Sequence, residues 1–164
     1  HNEIDVVSLS ALFTTLAAIL EDPTTDKLQH AEDIYSIGRL MESLDREVIA
    51  EQLYASEHIL ASTDQGLMLS LLSRAHIFKR NKKWEDAVPL WQQACDLGSE
   101  EAALELAKYY EHIAKDYAKA LETTNGLLQQ VRSNDAELVN KEIITQLEHR
   151  QNRLLKKRES SHLT

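Results

Sequence analysis

Residues 71 to 94 read LLSRAHIFKRNKKWEDAVPLWQQA. Within them Leu71, Ala75, Phe78, Ala87, Trp91 and Ala94 fall at positions 4, 8, 11, 20, 24 and 27 of a 34-residue frame. Apolar steps of three and four residues predict helices over 67–80 and 83–97. Alanine at positions 8, 20 and 27 lets two helices approach closely, while the aromatic residues at 11 and 24 fill the space between successive pairs. Downstream, Leu106, Ala107 and Tyr110 open a second copy that runs through Tyr117 and Ala120 and needs one extra residue in its turn. Trp84 and Tyr117 are equivalent, each three residues ahead of the small residue of its second helix. Upstream, Glu32 to Leu60, with Gly38, Met41, Ala50 and Tyr54, reads as a degenerate earlier copy.

This is the tetratricopeptide pattern. The fold class it predicts is all-α, with antiparallel helix pairs stacked as a tetratricopeptide-like α-solenoid. The clearest repeats are 68–101 and 102–134, followed by a capping helix over 135–157 with Leu138, Val139, Ile143, Leu147 and Leu154. The remaining predicted helices are 4–20, 28–42, 46–60, 99–113 and 116–131. Asp22, Pro23, Thr24 and Thr25 should end the first, and Ser62, Thr63, Asp64, Gln65 and Gly66 should separate the third from the fourth. Gly98 supplies a stop, Ser99 the next N-cap with Glu101 in its first turn, and Ser133, Asn134 and Asp135 cap the last helix.

At 164 residues and 43% hydrophobic content, one globular domain is the expectation. Four Gly and two Pro are too few for a β-sandwich or a disordered linker, and an aromatic content of 5% is low for a carbohydrate or nucleobase platform. The net charge is -9, and residues 1–60 hold twelve Asp or Glu against three Lys or Arg. Such an acidic front argues against duplex DNA as a partner of the whole surface. Two clusters are basic: Lys79, Arg80, Lys82 and Lys83, which are the candidate nucleic-acid contacts, and Arg150, Arg153, Lys156, Lys157 and Arg158. Each also suits a solvated helix end. The run Val6 to Leu20 is too short and too rich in Ser and Thr to span a bilayer, so no membrane is expected. No basic leader precedes it, and a single Cys excludes an internal disulfide framework, so the expected setting is cytoplasmic. Cys95 reads as a small buried residue, and the His residues lack ligand spacing for a structural zinc. No P-loop, dinucleotide fingerprint or nucleophile elbow is present.

The chain opens His1, Asn2, Glu3, Ile4, Asp5, Val6, Val7, Ser8, Leu9. His1 and Asp5 are four apart and would share a helix face, a spacing that His112 and Asp116 also have. On the residues alone, a tag remnant at His1 and a dipole-favoured acid at Asp5 are the alternatives to a site. The helix from Val6 to Leu20 is apolar on all sides, as expected of one buried in a larger body.

The run His1-Asn2-x-x-Asp5-Val6-x-Ser8-Leu9 resembles the last motif of the RNase H-like exonucleases of the DEDD superfamily, in their His-containing branch. The phrase Leu106-Ala107-Lys108-Tyr109-Tyr110-Glu111-His112, followed by Asp116-Tyr117 and Ala120-Leu121, is similar to the helical extension of a bacterial family of such proteins. That resemblance implies a metal-dependent 3'-5' exonuclease parent using Mg or Mn, in which Asp5 is the last metal ligand and His1 the general base. Residues 1–22 would be the final helix of a truncated catalytic domain, 26–158 the tetratricopeptide-like domain and 159–164 a tail. This chain itself, lacking the other carboxylates, would have no cofactor and no activity; its repeats would position a protein partner or nucleic acid. The alternatives are a stand-alone peptide-binding adaptor and a purely structural module. With its catalytic domain missing, the apolar helix is expected to pair with a second copy through residues 6–20 as a weak homodimer.

Overall fold

A computed structural model describes residues 2–22, 28–133 and 137–161. Among the described residues all regular structure is helical: α1 (Asn2–Glu21), α2 (Ala31–Ser43), α3 (Glu47–Tyr54), α4 (Glu57–Leu60), α5 (Asp64–Arg80), α6 (Trp84–Asp96), α7 (Glu100–His112), α8 (Tyr117–Ser133) and α9 (Glu137–Ser161). The all-α expectation holds. No helix among the described residues is long and apolar enough to cross a membrane. The chain forms two compact units, His1–Asn81 and Lys82–Thr164.

In the first unit α2 packs on α3, and α3 on α5. Ile34, Met41, Ala50, Leu53, Tyr54, Ile59 and Ile77 form the core. Gly38 explains how α2 and α3 come so close: a Cβ there would lie 2.5 Å from Cε1 of Tyr54. The Tyr54 ring therefore occupies the space that any side chain at 38 would fill. Its hydroxyl donates to Glu42 Oε1 at 2.8 Å, so the polar end of a fully buried residue is satisfied. The predicted helix 46–60 is broken into α3 and α4. Ser56 is extended (φ -64°, ψ 151°), and the Tyr54 carbonyl accepts the hydroxyl proton of Ser70, which replaces a helical donor. On α1, Val7 and Phe13 are 66% and 70% exposed, whereas Ile19 is buried.

In the second unit α6, α7, α8 and α9 pack in chain order. One core cluster joins Ala103, Leu127, Leu128, Val131 and Leu147, and another joins Ala120, Leu121 and Leu154. Gly98 takes φ 87°, and Ser99 then caps α7 by accepting from the Ala102 amide. That stop-and-start was legible in the sequence.

Three turns share one backbone device. Asp45, Lys82 and Lys115 adopt φ of 57°, 57° and 54°. Each stands five residues before an alanine with no exposure: Ala50, Ala87 and Ala120. Four residues beyond those alanines come Tyr54, Trp91 and Thr124, all fully buried. A left-handed L-residue costs about 1–2 kcal/mol, so its recurrence at one register marks a constraint that each turn meets in the same way.

Several boundaries differ from expectation. Thr63 caps α5 by accepting from the Gly66 amide, so Asp64, Gln65 and Gly66 belong to the helix and not to a separator. Ser133 ends α8, while Asn134 and Asp135 lie outside the described residues. α9 continues to Ser161, past the predicted end at 157 and into the predicted tail. Phe78 is only half-buried and its neighbour Ile77 takes the core place. Ile143 keeps 38% exposure.

Candidate functional site

The sequence-derived residues fall in different settings. His1 lies outside the described residues, and Asp5 stands in α1 with a side chain that is likewise outside them. Among the described residues no three His, Cys, Asp or Glu side chains converge as metal donors. One carboxylate does not fit a site that needs four, so no chemical step is assigned to a metal in this chain. Cys95 is half-buried against the core of the second unit. Burial, with the Asp96 charge beside it, pushes its thiol up to about 11, which removes thiolate reactivity near neutral pH.

Within the first basic cluster Arg80 is committed to acids. Arg80 donates from Nε to Glu47 Oε1 at 2.9 Å and from Nη2 to Glu42 Oε2 at 2.8 Å. Asn81 Nδ2 adds a 2.6 Å bond to the other Glu47 oxygen, and these bonds hold that carboxyl below its ordinary value against the opposing effect of burial. A phosphate at Arg80 would have to displace two carboxylates. Lys79 has interactions of its own. Lys82 and Lys83 are exposed, Lys82 as the left-handed turn residue and Lys83 as the N-cap of α6.

The second basic cluster is built around a residue that carries no functional reading in the sequence. Glu111, near the end of α7, has a side chain with no solvent exposure. Arg150 Nη1 donates to its Oε2 at 2.9 Å, and Arg153 grips both oxygens at 2.8 Å. Lys157 Nζ adds a 2.9 Å bond to Oε1. Burial would raise the carboxyl, but the bonds from Arg153 and Lys157 and the charge of Arg153 override it and pull Glu111 down to about 2. Arg150, Arg153 and Lys157 recur at steps of three and four, so they line one face of α9. That spacing was the available signal; a helix face with no apolar competitor at those steps needs an acid opposite it. Chemically the cluster is one sealed anion held by three cations, with His112 Nε2 3.6 Å from its Oε2 and Glu105 also acting on Arg150.

Next to it lies an open recess of about 370 Å³ lined by Tyr117, Lys156, Lys157 and Ser160. Lys157 Nζ stands 5.7 Å over the Tyr117 ring, and Lys119 Nζ stands 5.6 Å over Tyr110. Tyr110 meets Tyr109 edge-on at 5.4 Å, and Tyr109 meets Trp84 at 5.8 Å. All four rings are half-buried.

No family model and no solved structure matches the chain. It is similar to the uncharacterized protein YprB of Bacillus subtilis, with 28% identity over 126 residues. The match covers 74% of this chain and 30% of that relative, so the chain spans less than a third of the relative's length.

Proposed function

We propose that the chain is a tetratricopeptide-like repeat module of an RNase H-like 3'-5' exonuclease, holding a protein partner or the nucleic acid substrate for a metal-dependent catalytic domain outside this chain. The repeat part of the reading is carried by one observation: a left-handed turn residue five positions before a buried alanine, three times over. That register supports a common turn design before α3, α6 and α8, with α2 packed on α3 in the first unit, α7 on α8 in the second, and α9 as the cap on α8. The nuclease part rests on the resemblance of residues 1–9, in which Asp5 is a metal ligand and His1 the general base of the intact protein. The match to a much longer relative is in keeping with a module of a larger chain. The exposed Val7 and Phe13 on α1 fit a face that the catalytic domain covers in the parent and a second copy covers in the isolated chain.

The test uses the longer protein with Mg or Mn. Asp5→Ala and His1→Ala should each suppress hydrolysis of a labelled oligonucleotide while leaving the thermal melt in place. Full activity in both variants would refute the nuclease reading. Sedimentation of the present chain over a range of concentrations should reveal a weak dimer that Phe13→Ser abolishes.

A further inference from the structure

We infer that the edge of the second unit formed by Tyr110, Tyr117, Lys119, Lys156, Lys157 and Ser160 is a binding surface for single-stranded nucleic acid. The inference names a substrate class for the module proposed above and rests on that reading only for its link to a nuclease.

Charge is the first reason. Between Glu148 and Glu159 the chain has five Lys or Arg and no acid, on a protein whose net charge is -9. Glu111 is sealed from solvent, and although Glu105 also acts on Arg150, no acid besides Glu111 is bonded to Arg153 or Lys157 among the described residues. Lys156 is exposed and has no acidic partner among the described residues. Lys119 is 61% exposed and only loosely paired, its Nζ 3.8 Å from Asp116. The recess beside Tyr117 therefore offers the Lys156 ammonium and the Ser160 hydroxyl to a phosphate, with Lys157, bonded to Glu111, adding its charge at the rim.

The rings are the second reason, and they select the kind of polyanion. An acidic peptide would use the lysines and leave the aromatic residues idle. A duplex keeps its bases stacked and out of reach of half-buried rings at a helix edge. A single strand presents both a phosphate track and unpaired bases, and cations alternating with aromatic rings suit both. Lys119 over Tyr110 and Lys157 over Tyr117 repeat that alternation twice, and Tyr109 with Trp84 continue the row of rings. The chain-wide aromatic content of 5% hid this, because the fold brings Trp84, Tyr109 and Tyr110 into contact and packs Tyr110 and Tyr117 against one core cluster.

The test is fluorescence anisotropy of a short labelled oligothymidylate with the full chain, in EDTA, over a salt series. Binding should be seen at low salt. Lys119→Gln combined with Lys156→Gln removes two exposed charges outside the Glu111 cluster and should weaken binding about tenfold; the slope of log affinity against log salt should fall by about 1.4, since each single-strand phosphate contact contributes about 0.7. Tyr117→Leu, checked for an unchanged melt, should weaken binding with the salt slope intact, the signature of lost stacking. The inference is overturned if no binding occurs at low salt, if the double variant keeps the wild-type slope, or if duplex or polyglutamate competes as well as the single strand. Because no metal or hydrolysis enters the measurement, its failure is separable from an inactive or active Asp5→Ala parent.

Discussion

The two basic clusters look alike in the sequence and are opposites in the fold. At Arg80 one guanidinium faces two carboxylates, Glu42 and Glu47, and remains 49% exposed on its side chain. At Glu111 one carboxylate with no exposure faces Arg150, Arg153 and Lys157. In the first cluster Arg80 is outnumbered by two carboxylates in weak, water-screened bonds, while Lys82 and Lys83 of the same run stay exposed. The second holds a desolvated anion that depends on all its partners. Counting lysines and arginines along the chain therefore says little about where a polyanion can bind; the acids that the fold brings opposite them settle the sign.

The most severe way to break the contrast is Glu111→Ala. It leaves three cations facing each other beside the core of the second unit and should cost about 3–5 kcal/mol, the range for removing one partner of a buried ion pair. Urea denaturation measures it. A loss below about 1 kcal/mol would mean that the cluster behaves like a surface pair.

Acid should expose the same difference. The Glu111 carboxyl lies at about 2 in the fold against an ordinary value of 4.5. Its contribution is thus complete above about pH 4.5 and is lost as the pH falls toward 2, an effect of about 3 kcal/mol by linkage. In a His112→Gln background, which removes the imidazole 3.6 Å from Glu111 Oε2, the stability gap that Glu111→Gln opens should be constant near neutrality and close across that window. A gap independent of pH would remove the argument.

A smaller effect tests the packing beneath the Arg80 group. Gly38→Ala pushes a Cβ into the Tyr54 ring, whose hydroxyl is bonded to Glu42, and should destabilise by about 1–3 kcal/mol through overpacking. Gly126→Ala on α8 meets nothing within 4 Å and should instead stabilise by about 1 kcal/mol, the gain in helix propensity. A Gly38→Ala melt at or above that of the wild type would show that Tyr54 has room to move. Smallest of all is Arg80→Gln, expected to cost about 1 kcal/mol or less and to fade at high salt, because the pair is exposed. A salt-independent loss would place Arg80 with Glu111.

The helices themselves were legible. Alanines and aromatic residues at fixed steps located α5 to α8 within a few residues, and the Gly98–Ser99 pair located a stop and a cap, because these signals are set by backbone conformation and short-range sterics. The split of 46–60 was not legible, since the donor that takes the Tyr54 carbonyl sits on Ser70 of another helix. Nor was the continuation of α9, where Arg153 and Lys157 are anchored by a residue of α7.

The sequence by itself determined an all-helical chain, an acidic front and two basic runs, and it located the small residues around which helices pair. It did so because periodicity and capping act over one or two turns. Only the tertiary structure decided that Glu111 is the hub of the second run, that Arg80 is consumed by acids, and that Lys119 stands over Tyr110 and Lys157 over Tyr117. Those facts depend on residues about 40 positions apart, such as Glu111 and Arg150, and on which side chains lose their water, a property of the packed helices that no local pattern encodes.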